Sequence, residues 1–225
     1  MDRIWFVFRS DYAIAHSSAL FQVPQTYPMI PESYQTAQYL LRIEPHQALS
    51  NEIKQLKKQF AENYDCPASA TGKPGITLLR FEQLTMLEQR IVHRLQLIAR
   101  AQAAFVMELD GFGSLPTHSI FLQVTNKTQF VELVRSLRPI QQLLKMDKDH
   151  KPHFISEPTI SIARKLLPWQ YEKGWLEMSN THFSGRFVAD KMVLLRKRNE
   201  ETHYEQVKQF PLLNVREETR QGVLF

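Results

Sequence analysis

Lys73-Pro74-Gly75-Ile76-Thr77-Leu78-Leu79-Arg80 and Glu157-Pro158-Thr159-Ile160-Ser161-Ile162-Ala163-Arg164 decide the reading of this chain. Each is a proline-preceded run of small, hydroxyl-bearing and apolar residues that ends in arginine. Equivalent positions lie 84 residues apart, Gly75 to Thr159, close to half of the regularly patterned chain. Such a recurrence implies two related lobes, each supplying one equivalent strand. Alternate side chains of a strand share a face, so Gly75 and Thr77 line one side while Ile76 and Leu78 pack behind. Thr159 and Ser161 repeat the pattern, backed by Ile160 and Ile162. Strict alternation puts Arg80 and Arg164 on the core-facing parity, at strand ends where they either buttress a cleft or touch its ligand.

Upstream, Tyr39-Leu40-Leu41-Arg42-Ile43 reads as an apolar strand closed by Glu44-Pro45. Leu49, Ile53, Leu56, Phe60 and Tyr64 recur at helical spacing, and Lys54, Lys57 and Lys58 are expected on the solvated face. Residues 66–72 form a loop of small residues. Leu84, Leu87, Ile91, Leu95 and Ile98 mark a second helix. Strands over 105–109 and 118–124 are expected to join through a turn at Asp110-Gly111-Phe112-Gly113. A helical stretch runs from Phe130 to Met146, with Pro139 kinking it or ending its first part. Pro168 opens a short helix, where a missing N–H costs little. Strands over 183–189, 192–196 and 202–210 end the chain as one antiparallel set.

Strands and helices mix without βαβ alternation, which predicts an α+β fold: two pseudo-symmetric lobes of antiparallel sheet with packed helices and a central cleft. Residues 1–36 contain Pro24, Pro28 and Pro31 and lack periodicity, so they read as an irregular N-terminal arm. No low-complexity tract divides 37–225, which is expected to be a single bilobal domain.

The 225 residues are 43% hydrophobic and 23% charged, an ordinary globular balance. Twenty-eight Lys and Arg against 23 Asp and Glu leave a net charge of +5, which suits an anionic partner without demanding one. A single cysteine, Cys66, excludes an intrachain disulfide and a multi-cysteine metal site and fits a reducing compartment. The apolar run Ile4–Phe8 is stopped by Arg9 and Asp11, too short for a signal segment or a membrane span. The expectation is a cytoplasmic protein with no membrane partner, no metal and no cofactor. The chain has no phosphate-binding Gly-x-x-x-x-Gly-Lys loop, no nucleophile elbow and no His-Glu-x-x-His.

Taken together, several features resemble the two-histidine (2H) phosphoesterases, the superfamily of 2′-5′ RNA ligase-like proteins and cyclic phosphodiesterases. They are the paired strands, Ile43-Glu44-Pro45, Gly111-Phe112-Gly113, Ile162-Ala163-Arg164 and the late strand Val193–Leu195, covering about residues 39–210. The resemblance implies two lobes, each presenting a His-x-Thr or His-x-Ser strand to a shared cleft. One histidine takes a proton from the attacking oxygen, the other gives one to the leaving oxygen, and the hydroxyls hold the phosphoryl group. It places Gly75 and Thr159 at the histidine positions and Thr77 and Ser161 at the hydroxyl positions. Neither glycine nor threonine titrates near neutral pH. A general acid and a general base are each worth about 10²–10⁴-fold. Their loss amounts to about 5–11 kcal/mol, an upper range because coupled residues are not additive.

The expected function is therefore that of a degenerate centre. Thr77, Ser161, Arg80, Arg164 and Arg196 would bind a phosphorylated small molecule, a nucleotide or an RNA end without turning it over. One alternative is an altered enzyme with a relocated histidine: His182 of His182-Phe183-Ser184, or His118 or His153 beside the cleft. Another is a protein-interaction scaffold using the arm, although no protein partner is indicated. His16-Ser17-Ser18, the other His-x-Ser, falls in that arm. Histidines placed at 75 and 159 together are expected to return some turnover, unless Gly75 marks a close approach that an imidazole would violate.

Overall fold

The computed structural model describes residues 35–199 and 201–215. The expected arm over 1–36, with His16, lies outside the described residues except for its last two positions. Thr36 already belongs to a strand.

Alternation in Thr36–Ile43 (β1) buries Ala37, Tyr39, Leu41 and Ile43 and turns Gln38, Leu40 and Arg42 to the opposite face. β1 is the centre of a five-stranded antiparallel sheet. Its order is His153–Phe154 (β5), Ile76–Leu84 (β2), β1, Lys191–Arg198 (β8) and Glu205–Pro211 (β9). A second antiparallel sheet runs Thr159–Arg164 (β6), Ser119–Val124 (β4), Phe105–Leu115 (β3) and Ser184–Ala189 (β7). The mixed α+β reading holds. The final three strands are not one set, however: β7 pairs with β3, whereas β8 crosses to the other sheet and forms a hairpin with β9. Only Asp190 separates β7 from β8. The chain changes sheets at that residue, and hydropathy carries no sign of which neighbour a strand pairs with.

Helix Gln47–Asn63 (α1) lies against β6 and β7 and buries Leu49, Ile53 and Phe60. Its first turn is capped by His46, whose Nδ1 accepts from the Leu49 N–H at 3.4 Å. Helix Glu88–Ala101 (α2) contacts β9 of the other sheet and buries Ile91, Leu95 and Ala99. Burial of each such leucine, isoleucine or phenylalanine is worth about 1.5–3 kcal/mol. Thr128–Ser136 (α3) and Gln141–Leu144 (α4) are separated by a 3-10 turn at Arg138–Ile140, where Pro139 interrupts the helix as expected. Pro168 opens Pro168–Met178 (α5). No helix among the described residues is long and apolar enough to cross a membrane.

Asp110-Gly111-Phe112-Gly113 is not a turn. β3 runs through it to Leu115, with one extra residue relative to β4 between Leu109 and Phe112. Gly111 adopts φ +69° at this bulge and donates its N–H to the Phe183 carbonyl at 2.8 Å. Glycine suits a left-handed bulge as well as a turn, so sequence did not separate the two. The chain reverses instead at Pro116–His118, with Thr117 at φ +60°.

Bulges also correct the parity of the two arginines. Leu41 pairs with Leu79 while Arg42 pairs with Thr77, so Leu78 is an extra residue on β2. Ile120 pairs with Ala163 while Phe121 pairs with Ser161, so Ile162 is an extra residue on β6. Beyond each bulge the alternation inverts. Leu78 and Leu79 are both buried and Arg80 emerges; Ile162 and Ala163 are both buried and Arg164 emerges. The two bulges fall at equivalent positions of the repeated stretches, and each sends an arginine to the face of its hydroxyl residue.

Candidate functional site

Thr77 of β2 and Ser161 of β6 line a single cavity of about 960 Å³ between the two sheets. Ile76, Leu78, Ile160 and Ile162 are all at most 1% exposed. Arg80 and Arg164 enter the cavity because of the bulges, and the Arg164 Nε donates to Ser161 Oγ at 2.7 Å. Burial, then the nearby Arg80 charge, lowers the Arg164 pKa below its ordinary value, yet a guanidinium remains charged. A second hollow of about 610 Å³ shares Arg80, Ser161 and Arg164 with the first and is lined also by Thr159 and His118. Seven lysines and arginines line the larger cavity against two acids, Glu82 and Asp149. Its walls therefore favour anions.

Arg42 is a cavity residue that sequence reasoning missed. It stands opposite Thr77 across the β1–β2 ladder. Its Nη2 donates to the Lys73 and Pro74 carbonyls, each at 2.8 Å, and its Nε lies 3.1 Å from a Glu44 oxygen without hydrogen-bond alignment. Glu44 also receives Lys73. The guanidinium fills the space beside Gly75: a Cβ there would lie 2.8 Å from Arg42 Nε and Nη2. The signal was present as a charged residue in the apolar run 39–43, on the face opposite Leu41 and Ile43.

Lys57 corrects a second expectation. It is not on the solvated face of α1 but 7% exposed, lining the cavity. Its Nζ donates to the Thr71 and Gly72 carbonyls at 2.5 and 3.0 Å. Burial first, then the charges of Arg164, Arg42 and Lys54, bring its pKa from 10.5 down to about 8. Position 57 follows Ile53 by four and precedes Phe60 by three, so helical spacing alone puts it on the buried stripe. Ser69, in the 3-10 turn Pro67–Ala70, lines the same cavity with a buried Oγ that has no partner.

Other expected residues lie elsewhere. Arg196 lines neither hollow; it donates to Glu88 at 2.8 Å and to Glu205 at 2.9 Å, and Glu88 also accepts from Tyr39 Oη. Two carboxylates neutralise this arginine and tie β8 to β9 and to the start of α2. His182 is exposed, 3.9 Å from Asp110, just ahead of β7. β7 is the sheet edge opposite β6, so His182 is three strands, about 14 Å, from the Ser161 strand. His153 pairs with Arg80 and lines the cavity, as does His150. His150 is held by Asp147 at 2.7 Å, and that hydrogen bond raises its pKa. No metal-holding cluster of His, Cys, Asp and Glu occurs among the described residues.

Residues 45–201 match the model of the 2′-5′ RNA ligase superfamily. The chain belongs to this superfamily. Among solved structures it is similar to TT0787 of Thermus thermophilus, with a TM-score of 0.56 and 16% identity over 78% of this chain and 98% of that one. It is also similar to E. coli LigT complexed with NADP+, with a TM-score of 0.51 and 16% identity over 80% of this chain and 99% of that one. The 3′-AMP complex of LigT gives a TM-score of 0.50 and 15% identity over 78% and 98%. At these identities the likeness is one of fold, and it confirms the architecture expected for the 2′-5′ RNA ligase superfamily. No curated protein sequence matches the chain.

Proposed function

We propose that this member of the 2′-5′ RNA ligase superfamily is a degenerate phosphoesterase, a cleft that binds a phosphoester, nucleotide or RNA end and does not turn it over. The observation that carries this reading is the Arg42 guanidinium beside Gly75. A fixed cation stands where the family resemblance calls for an imidazole, and a guanidinium neither accepts nor releases protons in the working range. Thr159, at the other motif position, also cannot titrate. The hydroxyls of Thr77 and Ser161 and the side chains of Arg80 and Arg164 supply donors for phosphoryl oxygens, and the open volume of about 960 Å³ argues against a scaffold with a filled cleft. The complexes of LigT with NADP+ and 3′-AMP make nucleotides the ligands to test first.

One observation favours an altered enzyme: His153 faces the same cavity. Hydrolysis of adenosine 2′,3′-cyclic phosphate, followed beside calorimetric binding of the same compound, separates the readings. The proposed function expects binding with hydrolysis at the uncatalysed rate. Turnover well above that rate, abolished by His153→Ala in a folded protein, overturns it.

A further inference from the structure

Lys57, Arg164 and Arg42 approach one end of the cavity from α1, β6 and β1, and the loop 66–75 closes it. Among the described residues no carboxylate pairs with Lys57 or Arg164, and the one on Arg42, Glu44, is shared with Lys73. Lys57 spends two of its three donors on carbonyls, which leaves one. The Ser69 Oγ and Arg42 Nε are buried and lack hydrogen-bond partners. Clustered cations and unpaired donors both cost stability in a buried place, and a bound anion relieves both.

We infer that this end of the cleft takes a terminal phosphate monoester as its dianion, in preference to a cyclic or internal phosphodiester, with protonated Lys57 supplying the discrimination. The inference rests on the cleft being a phosphoester site and names the class of ester. A diester carries one charge and two non-bridging oxygens. A monoester carries close to two charges above its second pKa of about 6, and three acceptor oxygens. Two cations without carboxylates, with the remaining Lys57 N–H and the Arg164 Nη donors, match the monoester.

The selectivity titrates. Lys57 is faced by Arg164, Arg42, Lys54 and the carbonyls of Thr71 and Gly72, and with a pKa of about 8 it is mostly charged at pH 7 and mostly neutral at pH 9. The arginines hold their charge throughout. The protonated fraction of the amine falls about tenfold over that interval, and monoester affinity should fall with it.

Calorimetry on the full chain with 3′-AMP and adenosine 2′,3′-cyclic phosphate, at pH 7 and pH 9, tests this. The expected result at pH 7 is 3′-AMP at least about tenfold tighter than the cyclic ester, a preference largely lost at pH 9. Lys57→Arg should keep the preference at pH 9, and Lys57→Met should lack it at both pH values. Should either variant fail to fold, the unmodified protein's two-ligand pH series decides alone. Equal affinity for the two esters, or a pH response shared by both, overturns the inference and leaves the phosphoester reading standing. Binding of neither ester at low salt overturns that reading itself.

Discussion

The guanidinium of Arg42 occupies the volume that any side chain at position 75 would need, 2.8 Å from where its Cβ would stand. A glycine suits such a close approach just ahead of β2, and here the neighbour is pinned by the Lys73 and Pro74 carbonyls. Placing histidines at 75 and 159 should therefore not return turnover, the exception that the sequence reading attached to Gly75. Gly75→Ala should cost about 1–3 kcal/mol, the range for displaced charge-assisted hydrogen bonds. In an Arg42→Ala background the same change should cost much less. Urea denaturation of the double-mutant cycle measures the coupling, and additive effects would refute the steric link.

Arg80 and Arg164 should matter for binding and Arg196 for stability. Alanine at either cleft arginine should weaken a nucleotide's affinity about tenfold, by loss of one charge-assisted contact. Binding should also weaken as salt screens the cavity. Arg196→Ala should lower stability by about 1–2 kcal/mol, since Glu88 loses its cation and keeps only the Tyr39 hydroxyl, with affinity unchanged. Thermal melts paired with calorimetry distinguish the two behaviours.

Lys57 should give the apoprotein an unusual alkaline trend. Folded Lys57 holds its proton up to about pH 8, and the unfolded chain holds it up to about 10.5. Between these values the unfolded state binds more protons, so stability contributed here rises with pH. Relative to Lys57→Met, the unmodified protein should gain up to about 3 kcal/mol from pH 8 to 10.5. Urea midpoints across that interval check the sign, and parallel curves would contradict the depressed pKa.

His182→Ala should change neither binding nor any rate measured with a cyclic phosphate, because the residue stands at the sheet edge opposite β6. A rate lost with this variant alone would require chemistry outside the cleft.

The alternation within Gly75–Arg80 and Thr159–Arg164 is a covalent property of extended chain, so the hydroxyls, the isoleucines behind them and the lack of an imidazole at 75 and 159 were all legible in the sequence. So were the break at Pro139 and the body of α2 from Ile91 onward, although Leu84 and Leu87, read on the same stripe, fall in β2 and a 3-10 turn. Tertiary structure decided the rest. A bulge exists only in the pairing of two strands, and the bulges at Leu78 and Ile162 turned both arginines from the core to the cleft. Which face of a helix is buried depends on what it meets: β6 and the loop 66–75 buried Lys57, which its distance from Ile53 and Phe60 allowed but its charge argued against. Arg42 and Gly75 are 33 residues apart in sequence and become neighbours only when β2 returns antiparallel beside β1. Local periodicity reports which face a residue takes within its own element. Which partners meet at that face is set by long-range pairing, and there the character of this cleft was decided.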